Sequence, residues 1–253
     1  LAASIPRLER LALEADAEGA RVRFTGADGR SRDERFARVL CAAGRRTTLG
    51  GLGLEALGVA PDAGGGYPID EATLQLGELP IFVAGDVNEL HPLMHEAADD
   101  GHLAGANAAR FPDVRAPRRR VPLAIVFTDP QIAIVGGGYR EACAREAVAG
   151  GASFETQGRA RVMAENHGLA RVYAERRSGR LVGAELLGPR AEHLGHLLAW
   201  AVAKDVTVEE ALAMPFYHPV LEEGLRSALY DLAANLRRGP TIRCDVSEVG
   251  VGG

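Results

Sequence analysis

Apolar and polar positions in the first half of the chain predict short elements separated by glycine-bearing loops. Residues 21–24 and 31–36 alternate as strands around a turn, so they predict a β-hairpin. Apolar runs at 38–43 and 81–84, each followed by glycine, predict two buried strands. Small and apolar residues at 97–109 predict a helix. Near the start, an amphipathic helix is predicted by the spacing of Ile5, Leu8, Leu11 and Leu13.

The second half follows a different pattern, in which strands come in groups and helices are set apart. The proline- and arginine-rich stretch 112–122 separates the halves and is the best domain boundary in the chain. Alternating runs predict strands over 123–127, 132–135, 152–156, 169–174 and 181–187. Helical spacing predicts helices over 139–148, 191–204, 208–213 and 224–236. Such an arrangement is typical of an α+β domain on an antiparallel sheet.

Composition narrows the classes of function. The 253 residues are 47% hydrophobic and 25% charged with a net charge of −5, an ordinary balance for a soluble globular protein. No global basic field is available to attract nucleic acid or a membrane surface, so the arginine runs at 118–120 and 237–238 are interpreted as a linker and a helix end. No apolar run is long enough to span a membrane and no signal peptide heads the chain, so we expect a cytoplasmic protein.

Cysteine usage and the first residues add two expectations. Cys41, Cys143 and Cys244 are far apart and odd in number, which favours reduced thiols over a disulfide framework. The chain starts without Met and already inside a predicted helix. We therefore expect a fragment whose N-terminal part is missing.

One stretch near the C-terminus carries the residue types of an acid–base site. Pro219 disfavours helical backbone at His218 and suits the first position of the helix that follows. Residues five positions apart in a helix differ by about 140° in direction. We therefore expect His218 outside the helix, with Glu223 in its first turn reaching back as an orienting carboxylate for a base. The alternative is a helix N-terminus with a satisfied histidine and solvated glutamates.

Three further features suggest cofactor or metal chemistry, each with a simpler alternative. Gly44, after the first apolar run, would let a cofactor approach the backbone, although most such strands are simply core. Asp86, after the second run, can accept hydrogen bonds from sugar hydroxyls or serve as an ordinary turn residue. No metal site is predicted, because a proline-led helix start equally explains the spacing of His91, His95, Glu96 and His102.

Five motifs in order make the chain similar to a known family. They are Ala42-Ala43-Gly44-Arg45, Ile81 to Asp86, Val126 to Pro130, Gly183-Ala184 with Gly188-Pro189, and His218-Pro219 with Glu223. The chain resembles the class I pyridine nucleotide–disulfide oxidoreductases, and within them the dihydrolipoamide dehydrogenases, over nearly its whole length to about Ala234. Each motif is weak alone, but chance is a poor explanation for all five in this order.

The resemblance implies a domain order and a set of partners. Residues 1–70 would end an α/β NAD-binding domain, and 71–115 would return to an α/β FAD-binding domain. Residues 120–236 would form the α+β interface, or dimerisation, domain with its antiparallel sheet, and 237–253 would be a tail. The family implies FAD and NAD as cofactors, a homodimer, and a dithiol substrate such as a lipoyl-bearing protein. Its FAD glycine motif and redox CxxxxC pair belong to a part absent from this chain.

The resemblance also implies roles for individual residues. Asp86 matches the residue that binds the flavin ribityl chain, and Gly44 the glycine at the edge of the nicotinamide site. His218 matches the base that serves the partner subunit's active site, and Glu223 the carboxylate that orients it. The segment beside the flavin ring is matched by Pro92, Leu93, Met94 and His95.

Two departures from the family pattern keep alternatives open. Phe216 stands where dihydrolipoamide dehydrogenases commonly carry the first histidine of a His-x-His-Pro motif. Residues 44–47 read Gly-Arg-Arg-Thr in place of the family's Gly-Arg-x-Pro. A related disulfide reductase with another substrate is one alternative. Another is a dimerisation or interaction module without catalysis of its own, since we expect the fragment alone to be inactive and to lack stably bound FAD.

Overall fold

The computed structural model describes residues 10–16, 19–26, 29–42 and 44–238, and these fall into two compact units that divide between Tyr67 and Pro68. The first unit contains a three-stranded antiparallel sheet in the order β1-β2-β3. Its strands are β1 (Arg10–Asp16), β2 (Gly19–Thr25) and β3 (Ser31–Phe36). The unit also holds two short 3-10 helices at Leu49–Gly51 and Leu54–Leu57. The predicted hairpin over 21–36 is therefore confirmed.

The helix predicted near the start is wrong over the residues that the structure describes. Leu11 and Leu13 lie in β1, which pairs with β2 from Arg10↔Thr25 to Asp16↔Gly19. Both leucines also fit a period of two, and the adjacent β2 offers a complete ladder of hydrogen bonds. That local pairing outweighs the helical spacing. Residues 5 and 8, which completed the helical pattern, lie outside the described residues.

The two buried strands predicted at 38–43 and 81–84 are also wrong as regular strands. Residues 37–42 have no regular structure, and Leu40 is 91% exposed. The second run is represented by a single antiparallel bridge, Gln75↔Phe82. A regular strand needs a neighbour that continues its ladder of hydrogen bonds. Residues 74–76 bond to the second run only around this one bridge.

The second unit is an α+β arrangement around a five-stranded antiparallel sheet in the order β4-β5-β8-β7-β6. The strands are β4 (Leu123–Val126), β5 (Gln131–Val135), β6 (Val148–Ser153), β7 (Leu169–Ala174) and β8 (Leu181–Gly188). The helices are α1 (Met94–Arg110), α2 (Gly138–Ala144), α3 (Gly158–Met163), α4 (Ala191–Ala203), α5 (Val208–Ala213) and α6 (Glu222–Arg238). The antiparallel sheet predicted for the second half is confirmed.

Helices α4, α5 and α6 share one continuous apolar core with the five-stranded sheet. Helix α6 approaches β6 so closely that a Cβ built on Gly150 would lie 2.2 Å from the backbone nitrogen of Leu232. Only glycine fits there. On the opposite face, α2 covers Tyr173 near one end of the sheet. Leu225, Leu229 and Leu232 of α6 are buried in the core shared with the sheet, so the apolar side of this helix packs inside the chain.

Two predicted elements of this unit, the helix over 139–148 and the strand over 152–156, have different bounds in the structure. A helix is predicted over 139–148, but α2 ends at Ala144, Glu146 turns with φ 50°, and Val148 already begins β6. The predicted strand at 152–156 is correspondingly displaced, because Gly150-Gly151 signals a break in the sequence and yet pairs within β6. Helix α3 has no counterpart among the predicted elements.

The end of the sheet that α2 leaves uncovered carries an apolar row. Val126, Ile132, Leu187 and Leu169 are successive cross-strand partners on β4, β5, β8 and β7. Three of them are exposed in the single chain, and Ile132 is half-buried. Cross-strand apolar neighbours on a solvent-facing sheet are a feature of surfaces that another protein covers.

Candidate active site

His218 and Glu223 are brought together by the turn that precedes α6. The imidazole Nδ1 lies 2.9 and 3.1 Å from the two carboxylate oxygens of Glu223. A carboxylate can only accept, so Nδ1 donates and Nε2 of the neutral ring keeps its lone pair. The His218 side chain is 79% exposed, so Nε2 is open to an incoming group. The predicted contact is present, and the catalytic role of the pair stays a prediction.

The start of α6 lies between Pro219 and Gly224, the two starting positions that the sequence suggests. Helix α6 begins at Glu222, so the expectation that Pro219 takes its first position is wrong. The physical reason is the carboxylate of Glu223, which accepts from the backbone N–H of Val220 at 3.2 Å as well as from His218. This bond holds residues 218–221 as a separate turn before the helix.

The pKa of Glu223 is lowered by these same contacts. The hydrogen bond from His218 contributes most, followed by the backbone N–H of Val220, and the charge of Arg226 adds to them. Glu223 therefore stays ionised to a lower pH than an ordinary glutamate, and the ionised state is the one that can hold and orient an imidazole.

Gln157 supports the turn from outside and was missed in the sequence. Its amide nitrogen donates to the carbonyl of Val220 at 2.7 Å, and its amide oxygen accepts from Ala160 N at the start of α3. The two residues joined by the first bond are 63 positions apart. No local pattern could have indicated such a contact.

Phe216 has a structural role at the position where the resembling enzymes carry histidine. Its ring is half-buried against the core shared by the sheet and helices. The Arg226 guanidinium lies over that ring at 5.8 Å from its centroid and over the Tyr230 ring at 5.5 Å. With phenylalanine at this position, the segment before His218 carries an aromatic ring stacked with Arg226 in place of a second imidazole.

The residues predicted beside the flavin form a second group. Asp86 begins a 3-10 turn, Asp86–Asn88, and its side chain is exposed. Leu93, which cannot cap a helix with its apolar side chain, immediately precedes α1. Met94 and His95, in the first turn of α1, face a groove of about 610 Å³ whose other wall includes Phe127 and Trp200.

These residues are chemically suited to hold a flavin. An exposed carboxylate at Asp86 can accept from ribityl hydroxyls, and the uncapped N–H groups at the start of α1 can bind a polar ring edge. Pro92, half-buried Leu93 and exposed Met94 offer apolar contact to an aromatic ring. The described residues include no glycine loop for the pyrophosphate, so this group is one part of a flavin site.

Gly44 lies in the other compact unit and is exposed at φ 84°, a conformation that favours glycine. Its proposed place at a nicotinamide site stays a prediction. Among the described residues, no group of three or more His, Cys, Asp or Glu side chains is arranged to hold a metal ion. Within the same residues, no helix combines the length and apolar character needed to cross a membrane.

The region that contains the five-stranded sheet matches a known family. Residues 122–229 match the family model described as the pyridine nucleotide-disulphide oxidoreductase dimerisation domain. The match places residues 122–229, which include the whole five-stranded sheet, in the dimerisation domain of the pyridine nucleotide-disulphide oxidoreductases.

Particular relatives narrow the comparison further. The chain is 34% identical over 206 residues to the dihydrolipoyl dehydrogenase of Haloferax volcanii, covering 79% of this chain and 42% of that protein. It is 33% identical over 220 residues to the mercuric reductase of Streptomyces lividans, covering 85% of this chain and 45% of that protein. The crystal structure of LpdA from Mycobacterium tuberculosis superposes with a TM-score of 0.69 at 28% identity, covering 87% of this chain and 47% of that one. The chain thus spans less than half the length of these relatives.

Proposed function

We propose that this chain is the C-terminal part of a homodimeric, FAD-dependent disulfide oxidoreductase of the dihydrolipoyl dehydrogenase type. The observation that carries the proposal is the His218–Glu223 pair, an exposed imidazole whose Nδ1 is held by an ionised carboxylate. The enzyme would pass electrons from a dithiol, such as a lipoyl-bearing protein, through a redox disulfide and flavin to NAD⁺. The redox disulfide would lie in a part of the enzyme outside this chain.

His218 performs the proton transfer in this proposal. Its Nε2 takes the proton of an incoming thiol, which leaves the thiolate that attacks a disulfide sulfur. The resulting imidazolium is stabilised by Glu223, which also fixes the tautomer with Nε2 open. Glu223 keeps its charge through this step, because its lowered pKa leaves it ionised at neutral pH.

The flavin-side residues and Gly44 complete the proposed cofactor contacts. Asp86 would accept from the ribityl chain, while Pro92, Leu93, Met94 and His95 would line the ring. FAD would supply electron transfer between thiol and nicotinamide. Residues 1–70 and 71–115 would accordingly be the ends of NAD- and FAD-binding domains, with 120–236 as the interface domain and 237–253 as a tail. A cytoplasmic location also stays a prediction.

A homodimer is supported by the apolar row on the uncovered face of the five-stranded sheet. A twofold interface buries one self-complementary patch on both subunits, so a single row serves twice. Leu197 and Trp200 on α4 are also exposed, which adds apolar surface outside the core. Dimerisation would bring His218 to the partner's redox disulfide.

A second substrate class is favoured by one observation. Phe216 removes an imidazole that dihydrolipoamide dehydrogenases commonly carry, and Arg226 stacks on its ring. A related reductase acting on a different disulfide or dithiol therefore remains the alternative. Comparing turnover with free dihydrolipoamide and with other dithiols would separate the two.

The test is His218→Ala in the complete flavoenzyme. We expect turnover with dithiol to fall by about two to four decades, the usual contribution of a general base. His193→Ala is the control, because His193 is another exposed histidine on the same domain, 72% exposed. A decrease below threefold with flavin retained would show that His218 is not the base.

A further inference from the structure

A buried carboxylate outside the His218 site links three parts of the second unit. Asp100, in the middle of α1, is only 1% exposed. Its Oδ2 accepts from the backbone N–H of Gly85 at 3.1 Å and from the side-chain amide of Asn88 at 2.7 Å. Its Oδ1 accepts from a guanidinium nitrogen of Arg119. A buried charge is tolerated only when it is paired in this way.

The two bonds to Oδ2 bracket the turn that presents Asp86. Gly85 and Asn88 stand at the two ends of that turn, and the N–H of Asn88 donates to the carbonyl of Gly85 at 2.9 Å. The side-chain oxygen of Asn88 accepts from Leu90 N at 2.9 Å. The exposed Asp86 carboxylate is therefore mounted on a turn clamped from beneath by one buried oxygen.

Arg119 extends the same network to the first turn of α1. The guanidinium also lies 3.5 Å from the carboxylate of Glu96, which is 5% exposed and follows His95 directly. Arg119 itself belongs to the extended segment that leads into β4 of the dimerisation domain. One cation on the connection to the sheet thus contacts two buried carboxylates of α1, and one of them, Asp100, holds the Asp86 turn.

We propose that Asp100 and Arg119 are positioning residues that fix the Asp86 turn and the start of α1 for flavin binding. The proposal rests on the flavin role of Asp86 given above, and it adds residues that do not touch the cofactor. Neither residue is a catalytic residue. They act by holding backbone N–H groups and side chains in place before the cofactor binds, which lowers the ordering cost of binding.

A double-mutant cycle in the complete enzyme tests whether Asp100 acts through Asp86. The dissociation constant of FAD is measured for Asp100→Asn, Asp86→Ala and the double variant by quenching of flavin fluorescence. We expect each single substitution to weaken binding about tenfold and the double variant to be no weaker than Asp86→Ala alone, because coupled residues are not additive. Additive effects, or no effect of Asp100→Asn, would overturn the positioning role of Asp100 and leave the flavin role of Asp86 standing. An unchanged affinity in Asp86→Ala would overturn the proposed flavin role and the inference with it.

A second comparison separates positioning from simple stability. In Asp100→Asn/Arg119→Met both charges are removed together, which restores stability when a buried ion pair is merely structural. We expect the unfolding midpoint of this variant to recover relative to Asp100→Asn while FAD binding stays weak. Recovery of affinity together with the midpoint would mean that the network only stabilises the fold.

The neighbouring ion pair supplies a matched control. Asp99 and Arg120 are adjacent to the two network residues and pair at 3.1 Å, but the Arg120 side chain is 82% exposed. Asp99→Asn should leave FAD affinity within twofold of the wild type, because an ion pair with one solvent-exposed partner holds little in place. Equal weakening by Asp99→Asn and Asp100→Asn would point to general electrostatics and against positioning.

In the 253-residue chain without cofactor, hydrogen exchange gives an independent readout. Mass spectrometry of peptides spanning 83–90 should show faster exchange in Asp100→Asn than in Asp99→Asn, since the N–H of Gly85 loses its charged acceptor. Equal exchange in the two variants would contradict the clamp itself.

Discussion

The two sheets of this protein are both antiparallel, yet they are stabilised in different ways. In the three-stranded sheet, Val22 and Phe24 are buried, whereas β3 presents five exposed residues. Its strands are joined by surface ion pairs such as Arg21–Asp33. The five-stranded sheet instead has helices packed across one face and a second layer at one end of the other.

The difference shows what a complete ladder of hydrogen bonds can and cannot do. Both sheets pair antiparallel strands along their lengths, with a single register shift at Tyr173 and Ala174 in the five-stranded sheet, so backbone pairing does little to distinguish them. The two sheets differ in how many apolar side chains are buried under crossing helices, and such burial is the dominant favourable term in folding. We therefore expect the two units to respond very differently to substitution.

The largest effect is expected from Leu232→Ala in the five-stranded unit. Leu232 is fully buried where α6 crosses β6. The cavity should lower the free energy of unfolding by about 2–5 kcal/mol. Urea unfolding followed by fluorescence of Trp200, the single tryptophan of the chain, reports this unit directly.

Leu40→Ala is the matched control for that measurement. Leu40 is exposed and lies outside the core cluster, so its truncation should change stability by no more than about 0.5 kcal/mol. A loss below about 1 kcal/mol for Leu232→Ala would mean that the helices contribute less than their burial indicates.

A smaller but specific effect is expected from Leu187→Arg in the apolar row. If two copies meet on this face, a buried unpaired guanidinium should weaken the dimer about a hundredfold. Sedimentation equilibrium across micromolar concentrations measures the constant. Leu13→Arg, the same change at an exposed leucine of β1, should leave it unaltered. A wild-type mass of one chain throughout the range would refute the dimer.

The smallest effect is expected from Arg21→Ala in the three-stranded sheet. Hydrogen bonds and charge from Arg21 lower the pKa of Asp33, so the folded state binds a proton less readily than the unfolded state. The stabilisation is present above the ordinary aspartate pKa and is lost as pH falls through the lowered value.

Thermal unfolding at several pH values and salt concentrations checks this prediction. The difference between wild type and Arg21→Ala should be slight at neutral pH and should vanish both at acidic pH and at about 1 M salt, where screening acts over roughly 3 Å. Arg21→Lys keeps the charge but not both hydrogen bonds, so its stability should lie between those of the wild type and Arg21→Ala. A difference that persists at high salt would mean that Arg21 acts through packing.

Elements with strong local signals could be predicted to the residue. The bounds of β7 and α5 agree with the sequence prediction. Helix α5 is set by a capping box between Thr207 and Glu210, and Met214 beyond its end is extended before a proline. The His218–Glu223 contact was equally accessible, because the two residues are only five positions apart.

Features that depend on tertiary contact could not be predicted in this way. Gly150 is read as a strand breaker, although the crossing of α6 makes it necessary within β6. Arg119 belongs to a run of arginines that indicates positive charge but does not indicate which carboxylate each arginine binds. Its partner, Asp100, lies 19 positions away on α1. Gln157 likewise bonds to a residue far away in the sequence, the carbonyl of Val220.

The stretch joining α1 to the dimerisation domain has no helix or strand between residues 114 and 122, and it resembles a linker that would tolerate insertions. Three successive arginines nevertheless bind different carboxylates: Arg118 pairs with Asp205, Arg119 with Asp100, and Arg120 with Asp99. Adding or deleting one residue upstream would shift every arginine to the wrong partner. Across homologous chains, this stretch should therefore vary more freely in residue identity than in length.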